Sequence, residues 1–301
     1  AGWYGPEMKM SSDATTVSSD KDLDIPALCK YAESKGIGLM VYVNQRALVQ
    51  QLDILLPLYI KWGLKGIKFG FVQIGNQRWS TWLHDAVRKC GEYNLMVDIH
   101  DEYRPTGFSR TYPNLMTQEG IRGNEEMPDA THNTTLPFTR YLAGAGDYTL
   151  CYFNNRVKNT KAHQLAMAAV YYSPLQFMFW YDRPEFYQGE EELEFWKAIP
   201  SVWDDSRALD GEIGEYIVQA RRSGNDWFVG AMTNTEARTI TLTTDFLEPG
   251  KKYMLHLYED DDKLNTRTKV RSTHKKIKAG DKLVLKLKAS GGAALHFTPL
   301  K

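Results

Sequence analysis

Residues 65–77 read KGIKFGFVQIGNQ. Ile67, Phe69, Phe71 and Ile74 have the pattern of a buried strand running into a loop, yet Gly70 sits near the strand's end among bulky side chains. Glycine weakens a strand interior and marks a bulge or a close approach of backbone or ligand. An almost continuous apolar run belongs to a strand covered on both faces, as in a parallel sheet.

The flanking sequence repeats that texture. GIGLMVYVN (36–44) reads as a strand after a helix that starts near Asp24 with a proline in its first turn. ALVQQLDILLPLYIKW (47–62) reads as a helix, 66–72 as a strand, 80–92 as a helix and LMVDIH (95–100) as a strand. Further strands are expected at 115–119, 148–151 and 176–180, with a helix over 161–172. Counting AGWYG (1–5) as a first strand and 199–202 as a last gives about eight β-then-α units, the number of a (β/α)8 TIM barrel. The catalytic barrel is placed at residues 1–209. From 210 to 301 the texture changes: YIVQARRSGNDWFVGAMTN, TITLTT, KKYMLHLYED and DKLVLKLKA predict a small antiparallel C-terminal β-domain.

Bulk properties narrow the function. Lys+Arg and Asp+Glu balance at 37 each in 301 residues, so the chain has no overall positive field for nucleic acid or an anionic membrane. Its apolar runs are too short to span a bilayer. Cys29, Cys90 and Cys151 match no metal or redox spacing and are expected to be buried thiols. The opening AGWYGPEM lacks an initiator methionine and reads like a strand already under way, so a sizeable N-terminal part is expected to precede it.

In a (β/α)8 barrel the chemistry lies at the carboxyl ends of the strands. Those positions carry Trp3, Tyr4, Tyr42, Asn44, Gly70 and Gln73, then HDEYRPTG (100–107), Glu119 in TQEG, and Glu125 and Glu126 in RGNEEMP. Aromatic, amide and carboxylate groups on one rim suit a neutral, hydroxyl-rich ligand such as a sugar. Two carboxyls flanking a glycosidic bond serve its hydrolysis, and three or more oxygen donors serve calcium. Taken singly, each Glu reads better as a solvated loop residue paired with Arg104, Arg110 or Arg122, and a lone histidine such as His100 is often a satisfied core residue; the whole set at one rim favours function. In YYSPLQFMFWYDRPEFY (171–187), Phe177, Phe179 and Trp180 are mostly core, and only one or two of the group can face a pocket.

DKDLDIPALCKYAESKGIGLMVYVN, KGIKFGFVQIGNQRW, VDIHDEYRPTGFSRTYPNLMTQEGIRGNEE and the tail from DDSRALDGEIGEYIVQ together resemble glycoside hydrolase family 97. The resemblance spans essentially the whole chain. It implies an N-terminal β-super-sandwich absent from this chain, a catalytic (β/α)8 barrel, a C-terminal β-domain, calcium dependence, and either retaining α-galactosidase or inverting α-glucosidase activity. Retaining members carry an aspartate nucleophile in a pattern like IKxDF; here the sequence is IKFGF, and Gly70 stands at that position. Inverting members carry a glutamate base before the same strand, but 54–84 holds no acidic residue. The resemblance therefore implies a retaining α-galactosidase frame lacking its nucleophile, a variant expected to trap substrate or to transfer sugar from a β-configured donor or to a small anion. Glu125 matches the general acid/base, Glu102 and Glu119 match calcium ligands with Asp101 as an alternate, and His100 and Trp180 are sugar contacts. The expected partners are an α-galactoside or small oligosaccharide and the missing N-terminal domain, and the expected compartment is periplasmic or otherwise exported. A carbohydrate-binding protein without catalysis and an inverting α-glucosidase using Glu102 are the alternatives.

Overall fold

The computed structural model describes residues 2–5 and 10–300. The chain forms two compact units, Ala1–Ile121 with Ala145–Asp147, and Arg122–Gly144 with Tyr148–Lys301.

In the first unit, strands β1 (Met40–Asn44), β2 (Gly66–Gly70), β3 (Met96–Ile99) and β4 (Leu115–Gln118) form a parallel sheet in chain order. Helix α1 (Ile25–Ser34) precedes β1, while α2 (Gln45–Trp62) and α3 (Gln77–Glu92) make the crossovers. Each helix begins where a short polar side chain accepts an otherwise orphaned amide: Asp24 from Ala27, Asn44 from Ala47 and Asn76 from Trp79, at 2.9, 2.9 and 3.0 Å. Asn44, grouped with the rim by sequence, thus closes β1 and starts α2. One face of the sheet carries Val41, Val43, Ile67, Phe69, Val97 and Ile99, all buried in a core with Leu48, Leu55, Leu83 and Val87 from the helices.

In the second unit, α4 (Ala130–Thr135), α5 (Lys161–Val170) and α6 (Glu194–Ala198) precede eight strands: β5 (Asp205–Glu212), β6 (Tyr216–Ser223), β7 (Asp226–Thr233), β8 (Arg238–Thr243), β9 (Lys252–Asp260), β10 (Val270–Lys278), β11 (Lys282–Leu287) and β12 (Gly292–Pro299). Six form an antiparallel sheet in the order β10-β9-β12-β7-β6-β5, and β11 pairs with β8. Their apolar faces make a second core, including Val229, Leu242, Leu255, Leu285 and Leu295. The basic segment 270–282 supplies β10, an edge strand whose lysines discourage further pairing.

Helix α5 lies against this sheet, and Ala162 through Val170 are all buried. Two glycines permit the close approach: a Cβ on Gly230 would stand 2.4 Å from the Ala166 carbonyl oxygen, and one on Gly292 2.6 Å from the His163 Cα. Arg221 closes the far end of the helix by donating to the carbonyls of Ala169 and Val170 at 2.7 and 3.1 Å. Burial lowers its pKa to about 10.

Several expected strands are not strands. Ala1 lies outside the described residues, Gly2 is irregular and 3–5 form bends; 199–202 is a helix end and loop. Residues 148–151 and 176–180 do exchange backbone bonds, from the Leu150 amide to Phe177 and from the Trp180 amide to Leu150. Thr149 at φ 60° and Phe179 at φ 57° interrupt the extended backbone, and neither run continues as a ladder. The three cysteines are buried and unpaired, as their scattered positions predict. Among the described residues no helix is long and apolar enough to cross a membrane.

Candidate functional site

The residues singled out in sequence divide between the units: Gly70, His100, Asp101, Glu102 and Glu119 in the first, Glu125 and Trp180 in the second. Each set is built by its own surroundings.

In the first unit, strand pleating puts alternate residues on opposite faces. Opposite the apolar face, Tyr42 pairs in register with Lys68, Lys68 with Asp98 and Asp98 with Thr117, a polar row across four strands. One step toward the carboxyl ends, Asn44 pairs with Gly70, His100 continues β3 by donating its amide to Phe69 at 2.9 Å, and Glu119 continues β4 by donating to Ile99 at 2.8 Å. Two successive rows of polar groups therefore end the sheet.

The first row is a buried charge cluster. Lys68 is 4% exposed and Asp98 and Asp147 are fully buried; the Lys68 ammonium lies 2.8 Å from Asp98 and also donates to Asp147. Burial works against the Lys68 charge, but the two carboxylates outweigh it and hold the pKa above the ordinary lysine value. Asp98 is pushed well above the carboxylate range, first by burial and then by the charge of Asp147, with Lys68 opposing. Lys68, Asp98 and Asp147 escaped the sequence reading, although the Lys at the third position of GIKFG and the Asp at the second of VDIH already break an apolar run. Asp147 has no such signal; the Asp147 amide bonded to Gln118 at 3.0 Å brings it in.

In the second row, Glu119 is 9% exposed, accepts the Asp101 amide at 2.5 Å and lies 3.3 Å from the Nδ1 of His100. An Asp147 carboxylate oxygen stands 3.9 Å from the same nitrogen. Asp101 turns at φ 67° and its carboxylate accepts the Val72 amide at 2.9 Å, so it ties the β3 loop to the β2 loop. Glu102 is exposed. Calcium takes hard oxygen donors: Glu119 and Glu102 offer them, one Asp101 oxygen is already engaged, and the imidazole of His100 suits orientation or hydrogen bonding better than calcium ligation.

Gly70 is buried and far from an open gap. A Cβ built there would stand 2.0 Å from the Oη, 2.1 Å from the Cε2 and 2.2 Å from the Cζ of Tyr42. The phenol leans along the strand from the row below and fills the position. Phe71 follows at φ 51°, a strained setting for a bulky residue, with its ring edge-on to Tyr42 at 6.5 Å.

In the second unit, the structure brings Glu125 and Trp180 together: the indole Nε1 donates to Glu125 Oε1 at 2.8 Å. The preceding residues fix the carboxylate's backbone. Gly123 passes so close to Tyr148 that a Cβ would stand 2.4 Å from its carbonyl oxygen, and the Asn124 amide donates to that same oxygen at 3.0 Å. The Asn124 side chain donates to Gln164 of α5 at 2.9 Å. Glu126, next along, is a surface residue ion-paired with Arg122 at 2.9 Å.

Comparison with known proteins follows the same division. The profile described as Glycoside hydrolase 97 matches residues 1–121, and that described as Glycosyl-hydrolase 97 C-terminal, oligomerisation, matches 202–298. A protein named retaining alpha-galactosidase from Bacteroides thetaiotaomicron is 33% identical over 261 residues, 80% of this chain and 39% of the relative. A probable retaining alpha-galactosidase from Streptomyces bingchenggensis is 30% identical over 309 residues, covering 99% of this chain and 47% of its own length. A solved structure titled as a Glycoside Hydrolase Family 97 enzyme in complex with acarbose, from a Pseudoalteromonas species, superposes with TM-score 0.88 at 32% identity over 100% of this chain and 52% of that one. The chain thus spans about half the length of the relatives it matches.

Proposed function

Since the chain belongs to glycoside hydrolase family 97, we propose that it acts on terminal α-galactosides within a retaining frame whose nucleophile position is Gly70. One observation carries this reading: the sheet ends in rows of buried polar groups, and in the last row position 70 alone offers no side chain. Two relatives named retaining alpha-galactosidase support the choice of galactoside.

In this reading the parallel strands belong to a (β/α)8 barrel over 1–209, with a β-domain over 210–301, an N-terminal β-domain completing the enzyme, and an exported, periplasmic setting. Glu125 is the general acid/base. Trp180 donates to one of its carboxylate oxygens, which restrains the carboxyl for proton transfer to the glycosidic oxygen. Glu102 and Glu119 hold calcium, which supplies fixed positive charge near substrate hydroxyls. His100, fixed beside Glu119, offers a hydrogen bond to a sugar hydroxyl. Without a carboxylate at position 70 the double displacement stops before its covalent intermediate.

Azide rescue tests the reading. With an aryl α-galactoside, calcium and the N-terminal domain present, azide attacks the anomeric carbon as the bond to the aryl oxygen breaks and its electron pair leaves on the phenolate. The expected product is a β-galactosyl azide, and Glu125→Gln lowers the rate for a poor leaving group by about 10²-fold or more. Absence of azide-dependent release overturns the reading. The acarbose complex of the Pseudoalteromonas enzyme motivates a second reading, an inverting α-glucosidase with Glu102 as base. Formation of β-glucose as the first product from an α-glucoside selects it.

A further inference from the structure

We infer that Tyr42 gates the reacting end of the site: its phenol, rather than open space, occupies the side-chain volume of position 70, and it controls which nucleophile reaches the anomeric carbon. The inference rests on the reading of Gly70 as the nucleophile position. Its geometric part stands alone.

Three observations carry it. The Tyr42 atoms nearest an ideal Cβ on Gly70 are the hydroxyl and the outer ring carbons, at 2.0 to 2.2 Å, so ring and side chain exclude each other. Tyr42 pairs in register with Lys68 and Asn44 with Gly70, making Tyr42 and Gly70 diagonal neighbours, the relation across which a long aromatic reaches an adjacent strand. Phe71 packs edge-on to the same ring from a left-handed backbone, closing the side toward the loop. The clash involves the far end of a side chain, not backbone. Rotation of Tyr42 therefore admits a side chain, a water molecule or an anion, and its resting position slows their entry. Restoring an aspartate at position 70 is thus insufficient by itself; the ring must also leave.

Two measurements on the same variants separate this inference from the reading it rests on. In azide rescue, Tyr42→Ala is expected to raise azide-dependent phenol release roughly tenfold or more over the parent, because misplacement of a nucleophile by about 1 Å costs up to 10²-fold. Equal rates in parent and variant overturn the gate. When neither protein responds to azide, the function assignment fails, and thermal unfolding decides the geometry. There, Gly70→Ala lowers the melting temperature by a few degrees in the parent but leaves it unchanged in the Tyr42→Ala background; an equal drop in both overturns the inference. Tyr42→Leu, which leaves a smaller void, replaces Tyr42→Ala if that variant does not fold.

Discussion

Across the parallel sheet a single row in register reads Tyr42, Lys68, Asp98, Thr117; across the antiparallel sheet another reads Ala220, Val229, Leu295, Leu257. Lys68, Asp98 and Thr117 are as buried as the apolar four. The apolar row needs only complementary shape to be stable, with each buried Val or Leu side chain contributing about 1.5–3 kcal/mol. The polar row removes charge from water and regains it only by mutual pairing, so an apolar replacement of the whole set is often as stable. A sheet that keeps such a row spends part of its stability on chemistry, and the carboxyl ends of these strands are where the family's sugar chemistry is proposed to occur.

The contrast makes ordered predictions. Lys68→Met leaves Asp98 and Asp147 facing each other without a cation, and is expected to cost about 3–5 kcal/mol in urea unfolding. A loss under about 1 kcal/mol would mean that the polar row is not an energetic unit.

Next come the two buried titratable groups beside α5. His163 is buried and its pKa is lowered by burial to about 4, so its contribution is in place above the ordinary histidine value and disappears as pH falls toward 4. Asp260 is raised by burial to about 6, so its contribution is present in acid and disappears as pH rises through 6. Each is worth roughly 3 kcal/mol, and between pH 4 and 6 they offset. His163→Gln should gain stability on acidification over that range and Asp260→Asn should lose it; parallel slopes in the two variants contradict the assignment.

The smallest effects compare glycines. Gly292→Ala drives a Cβ into the backbone of α5 and is expected to cost about 2–3 kcal/mol, whereas Gly70→Ala meets only the movable end of Tyr42 and is expected to cost about 1 kcal/mol. Chemical denaturation of both in one background checks the order, and the reverse order would place the rigid contact at Gly70.

How much of this was legible follows from the same contrast. The helices announced themselves through 3.6-residue periodicity with Asp24 and a first-turn proline as punctuation, the first strands through near-continuous apolar runs, and the C-terminal hairpins through alternation about a polar turn. Expected strands at 148–151 and 176–180 read as apolar and aromatic, but left-handed backbone at Thr149 and Phe179 is a tertiary outcome that composition does not encode. Gly70 was visible as an anomaly, and the resemblance gave it a role; its occupant, Tyr42, lies 28 positions earlier and only strand register reveals it. Trp180 was marked as a sugar contact; its indole N–H bond to Glu125 came from the tertiary structure and had no signal in the sequence.

Helix α5 has a wider meaning for how such a chain is assembled. Glycines of β7 and β12 seat one side of it, Arg221 of β6 closes its end, and its Gln164 holds the loop that carries Glu125. The antiparallel sheet is therefore no interchangeable appendage. Exchange of residues 205–299 for another family's β-domain removes the bed on which α5 rests, and with it the fixed aim of a carboxylate far away in sequence. Recombination within this family is constrained to inherit helix and sheet together.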